Sequence, residues 1–177
     1  MNRPWTFLLI LGFVAMLSSC SAPRIDDYQH KSPTLDIQRF FNGPLTAHGV
    51  LKDRSGKVTR KFNATINAYW MNKVGTLEER FVFDDGEVQL RTWTLTPNGE
   101  GYTATAGDVI GPGTAYVKGN SMQLDYQLEI TYKGSPLTLQ VEDWMWQVDN
   151  NILLNESTLR KWGFKVGSIQ LAIIKSE

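Results

Sequence analysis

The chain has 177 residues, with 18 basic and 18 acidic side chains, two histidines and one cysteine. That overall balance argues against nucleic acid as a partner, which needs a basic footprint, and against a polybasic membrane-surface patch. A single cysteine excludes an internal disulfide, and the length after an N-terminal signal suits one domain with a full core.

The first twenty residues have the layout of an export signal. Arg3 is followed by an apolar run from Phe7 to Leu17, broken only by Gly12, and then by small residues. The run is too short to span a bilayer, which takes about 20 residues. Its end, Leu17-Ser18-Ser19-Cys20, resembles the lipobox of bacterial lipoproteins. The resemblance implies that residues 1–20 act as a lipoprotein signal, cut just before Cys20, with Cys20 acylated and the membrane as a partner. Each buried methylene contributes about 0.8 kcal/mol, and two acyl chains suffice for stable anchoring. In the Gram-negative lipoproteins that this signal resembles, a residue other than Asp after the cysteine, here Ser21, permits transfer to the outer membrane, so the resemblance implies an outer-membrane anchor with the domain facing the periplasm. A plain secretory signal cut near Ala22-Pro23 is the alternative.

Residues 21–33 are polar and aperiodic and predict a flexible tether. Thr34 to Phe41 predicts one or two helical turns, ended by Pro44. Strands follow. Phe62, Ala64, Ile66, Ala68 and Trp70 alternate with polar residues, as on a half-buried strand. Asp85-Gly86 between two such runs marks a hairpin. The cleanest alternation is Met122, Leu124, Tyr126, Leu128, Ile130 and Tyr132 against Gln123, Asp125, Gln127, Glu129 and Thr131. That pattern makes Leu128 core and Gln127 surface. A short helix is expected over Ser157 to Trp162 after an Asn155 cap, and Lys165 to Lys175 closes the domain. About nine or ten short strands joined by tight turns predict an all-β, antiparallel up-and-down barrel over residues 34–177. An open curved sheet or a sandwich is the second choice.

Several short motifs carry a further resemblance. They include Phe83-Asp84-Asp85-Gly86-Glu87, Arg91-Thr92-Trp93, Ala106-Gly107-Asp108-Val109, Glu142-Asp143-Trp144-Met145 and Lys161-Trp162-Gly163-Phe164. Together they resemble a family of proteobacterial lipoproteins catalogued as domain of unknown function 3833. The resemblance implies a lipocalin-like barrel and supplies no reaction and no catalytic residue.

The residues themselves point away from catalysis. There is no Gly-x-Ser-x-Gly elbow, and neither His30 nor His48 has a partner spacing for nucleophilic or metal chemistry. No metal or cofactor is expected. Asp84-Asp85 reads as a turn, and the Gly107 to Gly113 stretch as a barrel corner. Asp143 continues the phase of Leu137, Leu139 and Val141 and is expected inside, where a carboxylate needs a partner. Arg91 and Arg80 are candidates, and Arg91, Asp143 and Trp93 are expected to form a polar group at one end of an apolar cavity. Trp144 and Trp146 share the opposite face and would form an outer apolar patch. Three functions follow: a lipid-anchored barrel that binds or carries a lipid or other apolar molecule, an envelope assembly protein with a filled barrel, or a lipid-modifying enzyme using Glu78, Asp108 or Asp143.

Overall fold

The computed structural model describes residues 22–176; Cys20 and the signal lie outside the described residues. Ten strands follow one another: β1 (Gly43–Asp53), β2 (Val58–Met71), β3 (Val74–Phe83), β4 (Val88–Asn98), β5 (Gly101–Thr105), β6 (Gly113–Lys118), β7 (Ser121–Tyr132), β8 (Ser135–Gln147), β9 (Ile152–Lys161) and β10 (Phe164–Lys175). Each is hydrogen-bonded to its chain neighbours, and β1 also pairs with β10, giving a closed antiparallel barrel. The expected up-and-down barrel is therefore what forms, and closure leaves no free sheet edge.

Alternation sets the inside. On β7, Met122, Leu124 and Leu128 are buried while Asp125, Gln127 and Glu129 are exposed, as the phase predicts. On β2 the inward set is Phe62, Ala64, Ile66 and Ala68. The turns obey local chemistry. Asp53 accepts from the backbone N–H groups of Ser55 and Lys57, and Gly56 takes the positive φ that closes the β1–β2 turn.

One end of the barrel is plugged. The helix α1 (Ile37–Phe40), capped by the Asp36 side chain on the Arg39 N–H, sends Ile37 and Phe40 into the core together with Leu35 and Phe41. Small residues in the surrounding wall, Ala47, Ala64, Ala68, Ala104 and Ala115, share that cluster and make room for it. Trp70 donates its indole N–H to the Phe41 carbonyl. Lys175, at the end of β10, donates to the carbonyls of Arg39, Phe40 and Asn42. These are the acceptors a helix leaves open at its C-terminus.

Three expectations change. Residues 24–33 are docked rather than free: Ile25–Tyr28 forms a 3₁₀ turn, and the Tyr28 ring lies 5.6 Å from Trp144 and 6.4 Å from Trp146. Beyond it, Leu35 donates its N–H to the Gly119 carbonyl. The outer Trp144–Trp146 pair, stacked at 6.0 Å, is thus covered by the chain itself, and Trp144 is buried. Finally, Ser157 to Lys161 is strand, not helix. Asn155 lies within β9 and faces the interior, where its partners are on β8.

Candidate functional site

The barrel is not filled. Above the plug lies a cavity of about 600 Å³, within the size range of small-molecule pockets, roughly 300–1,000 Å³. Its walls are apolar toward the plug (Phe41, Leu77, Leu95, Met122) and toward the open end (Leu51, Phe62, Phe81, Leu159). Between them sits a polar belt.

The belt follows from strand phase. On β3, Glu79 shares the inward face with Leu77, Phe81 and Phe83, and on β4 Arg91 shares it with Trp93 and Leu95; all seven line the cavity. Glu79 and Arg91 are directly opposed in the β3–β4 register. Tyr126 comes from β7, Asp143 from β8, and Asn155 and Ser157 from β9. The Ala106 to Pro112 corner folds back onto β7, through Ile110 N–H to the Gln127 carbonyl and Glu129 N–H to the Asp108 carbonyl. That fold delivers the Asp108 side chain to Arg91.

The expected Arg91–Asp143 pair does not form. Arg91 donates Nε to Asp108 Oδ1 at 3.1 Å and Nη2 to Oδ2 at 2.6 Å. This fork is the geometry in which guanidinium and carboxylate bind best. Burial works against the Arg91 charge, but the Asp108 bonds, with the nearby Asp108 and Glu79 carboxylates, raise its pKa. Asp143 instead accepts on Oδ1 from Asn155 Nδ2 and, at 2.8 Å, from Ser157 Oγ. Neutral donors satisfy Oδ1 in place of a salt bridge. Arg80 is exposed on the outer face. So is Glu78, which accepts there from Asn67.

Two carboxyl groups are strongly perturbed. Burial pushes Glu79 up to about 7, against the pull of Arg91, with Asp143 and Asp108 adding to the rise. Burial also lifts Asp143 to about 6, with Asn155 and Ser157 pulling the other way. The Tyr126 hydroxyl is driven upward by burial and the same carboxylates. Trp93 is buried and meets Tyr126 edge to face at 5.2 Å. The site can therefore hold protons near neutral pH inside an apolar barrel. No histidine lines it, so Ser157 has no base of the Ser–His kind. Among the described residues no group of three His, Cys, Asp or Glu is placed to hold a metal.

Of the residues expected at the site, Arg91, Trp93 and Asp143 all line one cavity, as does Asp108. Glu79, Tyr126, Asn155 and Ser157 complete it. Glu79 was legible in the phase of Leu77, Phe81 and Phe83, and Tyr126 in the β7 alternation. Asn155 was hidden by a helix-like local pattern.

Comparison with known proteins gives fold and family but no activity. No curated protein matches the chain. The solved structure of the S-type phycobiliprotein lyase CPES from Guillardia theta superposes with a TM-score of 0.59 at 9% identity, over 88% of this chain and 99% of that one. At that identity the likeness concerns the lipocalin-like barrel alone. The structure of EF1p2_mFAP2b bound to DFHBI matches at a TM-score of 0.43 and 10% identity, over 80% of this chain and 100% of that one, too loosely to inform the site. The model of the family described as protein of unknown function (DUF3833) matches residues 14–175, almost the whole chain, and the protein belongs to that family.

Proposed function

We propose that this protein is a lipid-anchored envelope carrier whose barrel holds one lipid or other apolar molecule. The observation that carries this reading is the cavity of about 600 Å³, walled by aliphatic and aromatic side chains and crossed by one polar belt. Apolar walls with a few convergent polar groups are the general form of a small-molecule site. Barrel closure and the plug leave one end of the cavity for entry. The assembly-protein reading required a filled barrel and loses its support. The enzyme reading loses Glu78 to the outer face, finds Asp108 engaged by Arg91 and keeps Asp143 alone of its three carboxylates, inside the cavity and held by Asn155 and Ser157.

Anchoring rests on the lipobox resemblance at Leu17 to Cys20. Cys20→Ala should abolish labelling by a palmitate analogue and move the protein out of the membrane fraction. A mutant that keeps label and membrane association refutes the anchor. Cargo is tested separately. Native mass spectrometry of protein taken from its own envelope should show one co-purifying apolar molecule per chain. A bare chain that also fails to take up Nile red, a neutral apolar dye, refutes the carrier.

A further inference from the structure

We infer that the cavity selects amphiphiles with a cationic amine head over those with an anionic head. The inference deepens the carrier reading above and rests on it. The charged side chains at the cavity and its mouth are Arg60, Glu79, Glu87, Arg91, Asp108 and Asp143, while Glu129 points outward on β7. No lysine or histidine joins them, so carboxylates outnumber cations four to two. Both cations are already occupied. Arg60 lies 2.7 Å from Asp85 and 2.9 Å from Glu87 at the open end. Arg91 holds Asp108 through two of its nitrogens. A carboxylate or phosphate head entering the belt would find only the spare nitrogens Arg60 Nε and Arg91 Nη1, on guanidinium groups already neutralised by carboxylates.

The acidic groups are differently placed. Asp143 is 7% exposed, and its two hydrogen bonds both end on Oδ1, which leaves Oδ2 without a partner beside the cavity. Glu79 lines the same wall with only the Trp93 indole as a donor beside it, while Arg91 opposite is turned to Asp108. Cavity-facing carboxylates without a full set of partners favour a ligand that supplies the missing donors and charge. A primary ammonium carries three donors and one positive charge. Its alkyl tail would run along the apolar wall above or below the belt.

The test uses three single-chain probes of one length, hexadecylamine, hexadecanol and hexadecanoic acid, each below its micelle-forming concentration. They compete with Nile red for the purified chain. The amine should displace the dye at about tenfold lower concentration than the acid, a difference of about 1.4 kcal/mol. In Glu79→Gln/Asp143→Asn the amine should lose that advantage while the alcohol binds as before, which controls for folding. Acid binding equal to or tighter than amine overturns the inference and leaves the carrier reading standing. Failure of Nile red and all three probes to bind overturns both.

A different observation concerns the rim. Three neighbouring turns at the open end carry exposed apolar side chains: Ile110, Tyr132, and the pair Trp162 and Phe164, which are 85% and 76% exposed. The two hairpin tips Lys133-Gly134 and Trp162-Gly163 have positive φ at both positions, where Asn-Gly is the favoured pair. A lysine and a tryptophan stand there against local preference, as Lys73 does in the Asn72-Lys73 tip at the plugged end. The same tips carry Lys133, Lys161 and Lys165 with no acidic residue, whereas the β3–β4 turn is Asp84-Asp85-Gly86-Glu87. Trp, Tyr and Lys together are the composition of a membrane interface.

We propose that this half of the rim docks on an anionic bilayer surface. In vesicle flotation with the Cys20→Ala chain, which removes any acyl contribution, binding should require phosphatidylglycerol and weaken with salt. Trp162→Ala/Phe164→Ala should cut it about tenfold with an unchanged melting temperature. Binding that is absent, or equal in the variant, overturns the proposal.

Discussion

Glu79 gives the fold an unusual dependence on pH. Its pKa is raised in the folded chain, to about 7 from 4.5, and that of Asp143 to about 6 from 3.8. The folded state therefore binds protons more tightly than the unfolded state between about pH 4 and 7. In that window stability falls as pH rises, and the cost of ionisation is complete above the folded pKa. Arg91 from β4, Asp108 from the corner, Tyr126 from β7 and Asp143 from β8 all face this group and set the window together. The apo protein should melt at higher temperature at pH 5 than at pH 7.5. Glu79→Gln should flatten that slope and raise stability at pH 7.5 by on the order of 2 kcal/mol. An unchanged slope would mean the cavity is wet enough to ionise Glu79 freely. Leu128 offers a plainer check. Leu128→Ala should cost about 2–5 kcal/mol and Gln127→Ala within about 0.5, measured by denaturant melts. At this scale the sequence was readable wherever one strand's own alternation settles the face, as at Leu128 and Asp143. It was unreadable where a partner arrives from elsewhere. Nothing in the spacing of Arg91 and Asp108 says that a glycine-rich corner folds back over the barrel.

Among the elements, the plug helix depends most on its surroundings. Four residues are too few to hold a helix in water, and α1 persists because its apolar side is packed and its two ends are satisfied. Lys175 is the distal partner. Lys175→Met keeps the stem but removes every donor to the Arg39, Phe40 and Asn42 carbonyls. Hydrogen bonds to a charged group contribute about 1.5–3 kcal/mol each, though water can reach part of this site. A total loss of about 2 kcal/mol is expected, together with faster hydrogen exchange at Phe40 and Phe41. Equal exchange in the variant would show that packing alone holds the helix. The strands and most turns were legible because period-two patterns and Asp-Gly signals are local. The docking of residues 24–33 was not, since its composition is that of a tether. Tyr28 against Trp144 and Trp146 holds aromatic surface in register there, and the second half of β9, from Ser157 on, reads as helix because Asn155 and Ser157 are polar on the face that turns inward.

For the molecule as a whole, the junction between β1 and β10 is unlike the other nine. Every other pairing joins strands adjacent in the chain, but Leu45 meets Lys175 and Asp53 meets Gly167. Deleting β10 would expose β1 and β9 as two open edges, a template for strand pairing between molecules. A chain ending at Trp162 should therefore be oligomeric or insoluble by sedimentation, and a monomeric, dye-binding truncation would contradict the architecture. This arrangement also fixes an order of assembly. Hairpins can form as each strand is made, yet the ring waits for the last segment, whose search spans nearly the whole domain and is slow for that reason. The interior comes into existence at that same moment, and so does the Lys175 latch on its floor. No enclosed space exists until β1 and β10 pair, so anything the cavity holds must enter after that step, and this one junction sets when the interior becomes available.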